Sequence, residues 1–231
     1  FQNYFNIKNV YTSKNLHEII YKKFDIIYLA APSSKKFLAN NNKKSDLTNI
    51  KNLIKNLDKV DCNKIICIST IDVFDNKHSN ENTKIVKKNL LPYGYNRLQL
   101  INFIKKKFKN YLIIKLPSLF GNNERKGFFY DLIKFKNIKF YNEKSELQWY
   151  YTPFLSKDIK KLKNSKIREI NLVSEPISCG SIIKKLNLKR SFNNTSPIIK
   201  YNINTNHKYR HIKYSYKKNH ILKLMKDYLK N

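Results

Sequence analysis

The sequence predicts an α/β fold: a parallel sheet with helices on both faces. Three observations carry that prediction. Unbroken apolar runs of strand length recur along the first half of the chain, amphipathic stretches of helix length separate them, and capping or turn residues stand at the joins.

In chain order, "NVYTS" (9–13) is a β-like run and "LHEIIYKK" (16–23) is helical in pattern. "FDIIYLAAP" (24–32) is an apolar segment of the buried-strand type. In "SDLTNIKNLIKNLDKV" (45–60), Leu47, Ile50, Leu53, Ile54 and Leu57 make one apolar stripe, with Ser45 or Asp46 as the cap. "KIICIST" (64–70) is a second buried strand, and 75–89 is polar loop. A helix opens at Pro92, where a missing N–H costs nothing, and Leu98, Ile101, Ile104 and Phe108 give it a core face. "YLIIKLPSLFG" (111–121) is a third buried strand, ended by its proline.

Beyond residue 122 the pattern loosens. It predicts a helix over 127–135, β-like "IKFY" (138–141) and "QWYYTPF" (148–154), and a short helix from Ser156. Strand "REINLV" (168–173), helix "GSIIKKL" (180–186), β-like "PIIKYNI" (197–203) and a terminal helix "NHILKLMKDYL" complete it.

At 231 residues, 41% hydrophobic and 13% aromatic, the chain is large enough for a substantial core. No apolar run approaches the ~20 residues that span a bilayer, and no export signal stands at the N-terminus. The three cysteines form neither a CxxC pair nor an even framework, which is the pattern of reduced thiols in a cytoplasmic protein. Cys67, inside a strand, reads as an inert small hydrophobe. His207 and His211 are spaced i, i+4 without a third ligand, so no metal is expected.

The formal charge of +31 invites a nucleic-acid reading. The positives are nearly all lysine and evenly spread, alongside abundant Asn and Ile, so they read as compositional bias. Salt-sensitive attraction to polyanions is expected, a specific nucleic-acid partner is not.

The stretch "PYGYNRLQL" (92–100) carries the chemistry. Tyr93 and Arg97 stand i, i+4 in the first turns of a helix and share one face. A free tyrosine titrates near ~10, so a phenolate at neutral pH needs a drop of roughly three pH units, about 4 kcal/mol. An opposite charge 4 Å away at an effective dielectric of ~20 supplies an energy of about that size. Arginine provides the charge and hydrogen-bond donors but does not give up a proton. Read alone, the pair is a routine surface pair on a helix.

Four segments read together go further. "YLAAP" (28–32), "CISTIDVF" (67–74) and "KLPSLFG" (115–121) end strands, and "YGYNR" (93–97) lies between the last two. This ordered set resembles the extended short-chain dehydrogenase/reductase superfamily, the NAD-dependent epimerases, dehydratases and reductases acting mostly on nucleotide-linked sugars. "WYYTPFLSKDI" (149–159) and "NLVSEPIS" (171–178) resemble its substrate-side segments.

The resemblance implies a Rossmann-like dinucleotide-binding domain over 1–122 and a mixed substrate-binding region over 123–231, some of whose strands return to the main sheet. It implies Thr70, Tyr93 and Arg97 as the catalytic set, Arg97 standing where the family has lysine. It implies Leu29, Ala30, Ala31, Pro32, Ser69, Tyr93, Arg97 and Pro117 around NAD or NADP, and Asp72, Ser118, Arg125 and Lys126 on the substrate side. A homodimer through 46–60 and 94–108 follows from the same likeness.

The chain also departs from the pattern. It has no GxGxxG turn, and Phe1 already reads as lying ahead of the second strand, so truncation of the first strand and helix is expected. Phe74 replaces a tyrosine and Lys115 an arginine. Two rivals therefore stay open, a binding protein that keeps the fold without catalysis and a polyanion binder resting on charge.

Overall fold

The computed structural model describes residues 5, 7–121, 127–134, 138, 141–192 and 194–230. Its strands are β1 (Lys23–Leu29), β2 (Asp61–Thr70), β3 (Tyr111–Leu116), β4 (Ser118–Phe120), β5 (Glu146–Leu147), β6 (Trp149–Tyr151), β7 (Glu169–Asn171) and β8 (Ile177–Ser178). Its helices are α1 (Lys36–Asn41), α2 (Lys43–Leu57), α3 (Pro92–Lys107), α4 (Phe128–Ile133), α5 (Leu155–Leu162), α6 (Cys179–Leu186) and α7 (Lys218–Tyr228). The chain forms two compact units. One takes Phe1–Asp75, Lys84–Lys115 and Ser156–Glu169, and the other Asn76–Thr83, Leu116–Leu155 and Ile170–Asn231.

The main sheet has the order β1-β2-β3-β7, and the first unit carries β1, β2 and β3 as far as Lys115. β1 and β2 run parallel, in register from Lys23 opposite Asp61 to Leu29 opposite Cys67. The apolar runs read as strands form its centre: Ile65, Ile66, Leu112, Ile113 and Ile114 are fully buried. Leu98, Ile101, Ile104 and Phe108 are buried along α3, as their spacing predicts. Cys67 is buried in β2, and burial pushes its thiol up to about 12, which leaves it unreactive.

Three local expectations fail here. "NVYTS" is no strand. The Thr12 N–H donates to Asn15 Oδ1 at 2.7 Å, and the Asn15 N–H to the Thr12 carbonyl at 3.2 Å, a local loop that competes with extended pairing. "LHEIIYKK" forms only a 3-10 turn, Leu16–Ile19, because Tyr21 adopts a positive φ of 61° and the strand begins two residues later. The cap of α2 is Asn42, whose side chain accepts from the Ser45 N–H at 3.2 Å. That frees Asp46 to turn inward, and the buried stripe is Asp46, Ile50, Leu53 and Leu57.

Lys115 in β3 is 3% exposed and pairs with Glu169 of β7 at 2.9 Å; Lys105 of α3 pairs with the same carboxylate. Burial pushes the Glu169 carboxyl up, but Lys115 and Lys105 outweigh it and hold it below the usual range. A depressed folded-state pKa gives stability that is present above the unfolded value and lost as pH falls through the folded one. Urea unfolding across the acid range is expected to show that loss beginning near about pH 4. Glu169→Gln is expected to flatten it; an unchanged pH slope would contradict the assignment.

In the second unit β4 runs parallel to β6, and β5 antiparallel to β8. Trp149 and Tyr150 are buried and Phe120 packs edge-on against Trp149, so the start of the run "WYYTPF" is core, while Tyr151 to Phe154 are half-buried. Gln148, also buried, ties three segments together: its amide donates to the carbonyls of Ser174 and Ile203 at 2.7 and 2.6 Å and accepts from the Ile203 N–H. Glu81 accepts from the Asn171 N–H, the Thr205 hydroxyl and the Asn206 N–H at 2.7, 2.7 and 2.8 Å. "PIIKYNI" forms an isolated bridge of Lys200 to Glu146 rather than a strand, and its Asn202 N–H donates to the Lys77 carbonyl at 2.8 Å. Of "IKFY", Ile138 lies outside any strand, its carbonyl accepting from the Tyr141 N–H in a turn.

Candidate active site

The site is assembled in the first unit from the C-terminal end of β2 and the start of α3. Thr70 ends β2, and its hydroxyl accepts the Asp72 N–H at 3.1 Å, capping the 3-10 turn Ile71–Val73. The same hydroxyl lies 3.4 Å from Asp72 Oδ2 and interacts with the Tyr93 phenol in the sense that favours its ionised form. Tyr93 sits in the first turn of α3, with Pro92 at the first helical position and its N–H donated to Asn40 Oδ1 at 3.0 Å. Gly94 lets that turn approach: a Cβ added there would lie 2.0 Å from the Asp72 carbonyl oxygen.

Arg97 follows one helical turn on, and its guanidinium carbon lies 4.0 Å from the Tyr93 ring centroid. Nη2 donates to the Ser33 carbonyl at 2.6 Å, and Nη1 to the Asp46 carboxylate and, at 3.4 Å, to the Tyr93 carbonyl. Asp46 also accepts from Asn96 at 2.7 Å. Lys36 pairs with Asp72 at 2.7 Å.

Thr70, Tyr93, Arg97 and Asp72 thus lie together in the first unit. The electrostatics differ from expectation. Burial pushes the Tyr93 phenol up first; Arg97 and the Thr70 hydroxyl pull it down, Asp72 and Asp46 push it up again, and the net direction is upward. The arginine acts, but burial and two carboxylates outweigh it.

At the end of β1, Leu29 is buried, Ala30 exposed, and Ala31 and Pro32 half-buried; Ser69 is half-buried in β2. Pro117, buried, and Ser118, exposed, belong to the second unit. Arg125 and Lys126 lie outside the described residues. Among the described residues no cluster of His, Cys, Asp or Glu is disposed to hold a metal, and no helix is long and apolar enough to cross a membrane.

No protein-family model matches the chain, and no curated protein matches it. Solved structures do. The UDP-N-acetylglucosamine 4-epimerase of Methanobrevibacter ruminantium M1, in complex with UDP-N-acetylmuramic acid, superposes with a TM-score of 0.65 at 12% identity over 94% of this chain and 78% of its own. The UDP-glucuronic acid 4-epimerase of Bacillus cereus, in complex with NAD, gives 0.57 at 15% identity over 94% and 70%. The L-threonine dehydrogenase of Phytophthora infestans gives 0.55 at 16% identity over 71% and 61%.

The fold is the one these solved structures share, a Rossmann-like parallel sheet with helices packed on it. Within that fold the similar structures include both sugar-nucleotide epimerases and an amino-acid dehydrogenase, so the fold alone does not assign a substrate.

Sequence reading missed four contributors to this site. Asp46 was legible as the polar member of a stripe continued by Ile50, Leu53 and Leu57. Gly94 had a signal too, one of only 4 glycines in the chain placed where a helix begins. Asn40 and Lys36 had none, because α1 has no apolar face: Phe37 is 75% exposed.

Proposed function

We propose that the chain is an NAD(P)-dependent oxidoreductase or epimerase acting on a hydroxyl or carbonyl of a sugar or nucleotide sugar. The observation that supports this is the juxtaposition of the Thr70 and Tyr93 hydroxyls where β2 ends and α3 begins, in a fold whose similar structures include proteins named with UDP-sugars and NAD.

The residues at the end of β1 fit a dinucleotide. Ala30 is exposed and carries only a methyl group, so backbone can approach a flat ligand there, flanked by Leu29, Ala31, Pro32 and, from β2, Ser69. Arg97 does not fit as a ribose donor, since the residue is 3% exposed and its guanidinium is committed to protein acceptors. A bound nicotinamide supplies the hydride acceptor. Tyr93 then moves the proton of the reacting hydroxyl, and Thr70 hydrogen-bonds the same oxygen and fixes the phenol. Pro117 on the cofactor side, with Asp72, Ser118, Arg125 and Lys126 on the substrate side, completes the proposal. So does a homodimer through 46–60 and 94–108.

A second reading, a dinucleotide-binding protein without turnover, draws on the sequestered Arg97. Calorimetric titration with NAD+ and NADP+ followed by assay with UDP-hexoses separates the two. Binding with turnover is expected; binding without turnover supports the second reading, and no binding removes both.

A further inference from the structure

Arg97 occupies the place where the resemblance puts a lysine, yet nothing about its surroundings suits a group that meets ligand. Its guanidinium reaches acceptors on three segments: Asp46 of α2, the Ser33 carbonyl after β1, and the Tyr93 carbonyl on its own helix. Asp46 is 9% exposed and holds Asn96 as well, so both residues facing it lie on α3. A buried carboxylate is costly unless its partners are fixed, and here both are. The charge of Arg97 lies over the Tyr93 ring face, 4.0 Å from its centroid.

We propose that Asp46 is a positioning residue that pins the Arg97 guanidinium over the Tyr93 ring, so that the pair orients the phenol while Arg97 does not serve as a cofactor ligand. The orienting role stands on geometry alone; the statement about the cofactor rests on the functional reading above. Arginine suits this place better than lysine because its planar head stacks on a ring and still donates along its edges.

The charged groups facing the phenol are few. They are Arg97 on its own helix, Asp46 from α2 and Asp72 from the turn after β2, with Lys36 of α1 bound to Asp72. Removing Asp46 therefore deletes one anion and leaves the guanidinium unneutralised, and both changes favour the phenolate.

The test is a titration of the full chain carrying tyrosine labelled with ¹³C at Cζ, the Tyr93 signal being assigned by its loss in Tyr93→Phe. Asp46→Asn is expected to move the Tyr93 titration to lower pH. The double variant Asp46→Leu/Arg97→Met, which replaces the pair with apolar side chains and so tolerates loss of the ion pair, is expected to move it less than the single one. In the double variant NAD+ affinity is expected to stay within about threefold of wild type. An unmoved Tyr93 titration in Asp46→Asn, or equal shifts in both variants, overturns the positioning role. A loss of NAD+ affinity of about tenfold or more in the double variant overturns the exclusion of Arg97 from the cofactor. Should wild type bind no dinucleotide, the cofactor reading and the statement about Arg97 fall together, and the phenol titration still decides the positioning role.

Discussion

Tyr93→Phe is expected to lower turnover of a nucleotide sugar by about 10²–10⁴-fold, the contribution of a positioned general acid or base. The substitution is narrow. The phenyl ring stays beneath the Arg97 guanidinium, so the stacking contact survives, and only the hydroxyl that meets Thr70 is lost. Folding is expected to suffer by no more than about 1 kcal/mol, the size of one net hydrogen bond, and cofactor affinity to change little. Because burial first, and then Asp72 and Asp46, raise the phenol against the pull of Arg97 and Thr70, Tyr93 is protonated at neutral pH. In the wild type the reaction direction that needs a proton donor is therefore expected to hold its rate across neutral pH and to lose it only in the alkaline range. Initial rates in both directions check this; turnover that survives Tyr93→Phe would remove the catalytic proposal.

Gly94→Ala is expected to destabilise the protein by about 3 kcal/mol, near the upper end of ordinary overpacking. The added methyl would lie 2.0 Å from the Asp72 carbonyl oxygen and 2.9 Å from its carbon. Both are backbone atoms, so no side-chain rotation relieves the contact; the helix start and the turn after β2 must separate. At roughly 2–4 °C per kcal/mol for a chain of this size, thermal unfolding followed by circular dichroism is expected to fall by roughly 6–12 °C. Separation of the two elements also draws Tyr93 from Thr70, so activity is expected to fall with stability. Gly180→Ala in α6 is the control. There the nearest atom is the Glu143 carbonyl oxygen at 3.4 Å, so no such loss is expected. Equal effects at the two glycines would show that the approach of Gly94 to Asp72 does not matter.

What was legible in the sequence was what hydrophobic pattern and local sterics dictate. β2 and β3 announce themselves as apolar runs because both of their faces are buried, and α3 through Pro92 and its core-facing leucines and isoleucines. Tyr93 and Arg97 were legible as a pair because helix geometry places them on one face. What the arginine does was not, since it depends on Asp46, which lies 51 residues away along the chain. The cap of α2 was misread for a related reason: Asn42, Ser45 and Asp46 are all capable caps, and only the tertiary demand of Arg97 for a carboxylate decides that Asp46 turns inward. α1 was missed because a six-residue helix with exposed Phe37 and Leu38 carries no periodic apolar face.

The claim on which the functional reading turns is that Tyr93 moves a proton in step with hydride transfer while Thr70 hydrogen-bonds the reacting oxygen. It is tested most directly by mixing the protein with NAD+ and a UDP-hexose deuterated at the reacting carbon, and following the absorbance of the reduced nicotinamide. A rise that slows with the deuterated sugar and disappears in Tyr93→Phe and Thr70→Val is the expected result. Bound NAD+ with no reduction in the wild type, for any sugar that also binds, would contradict it.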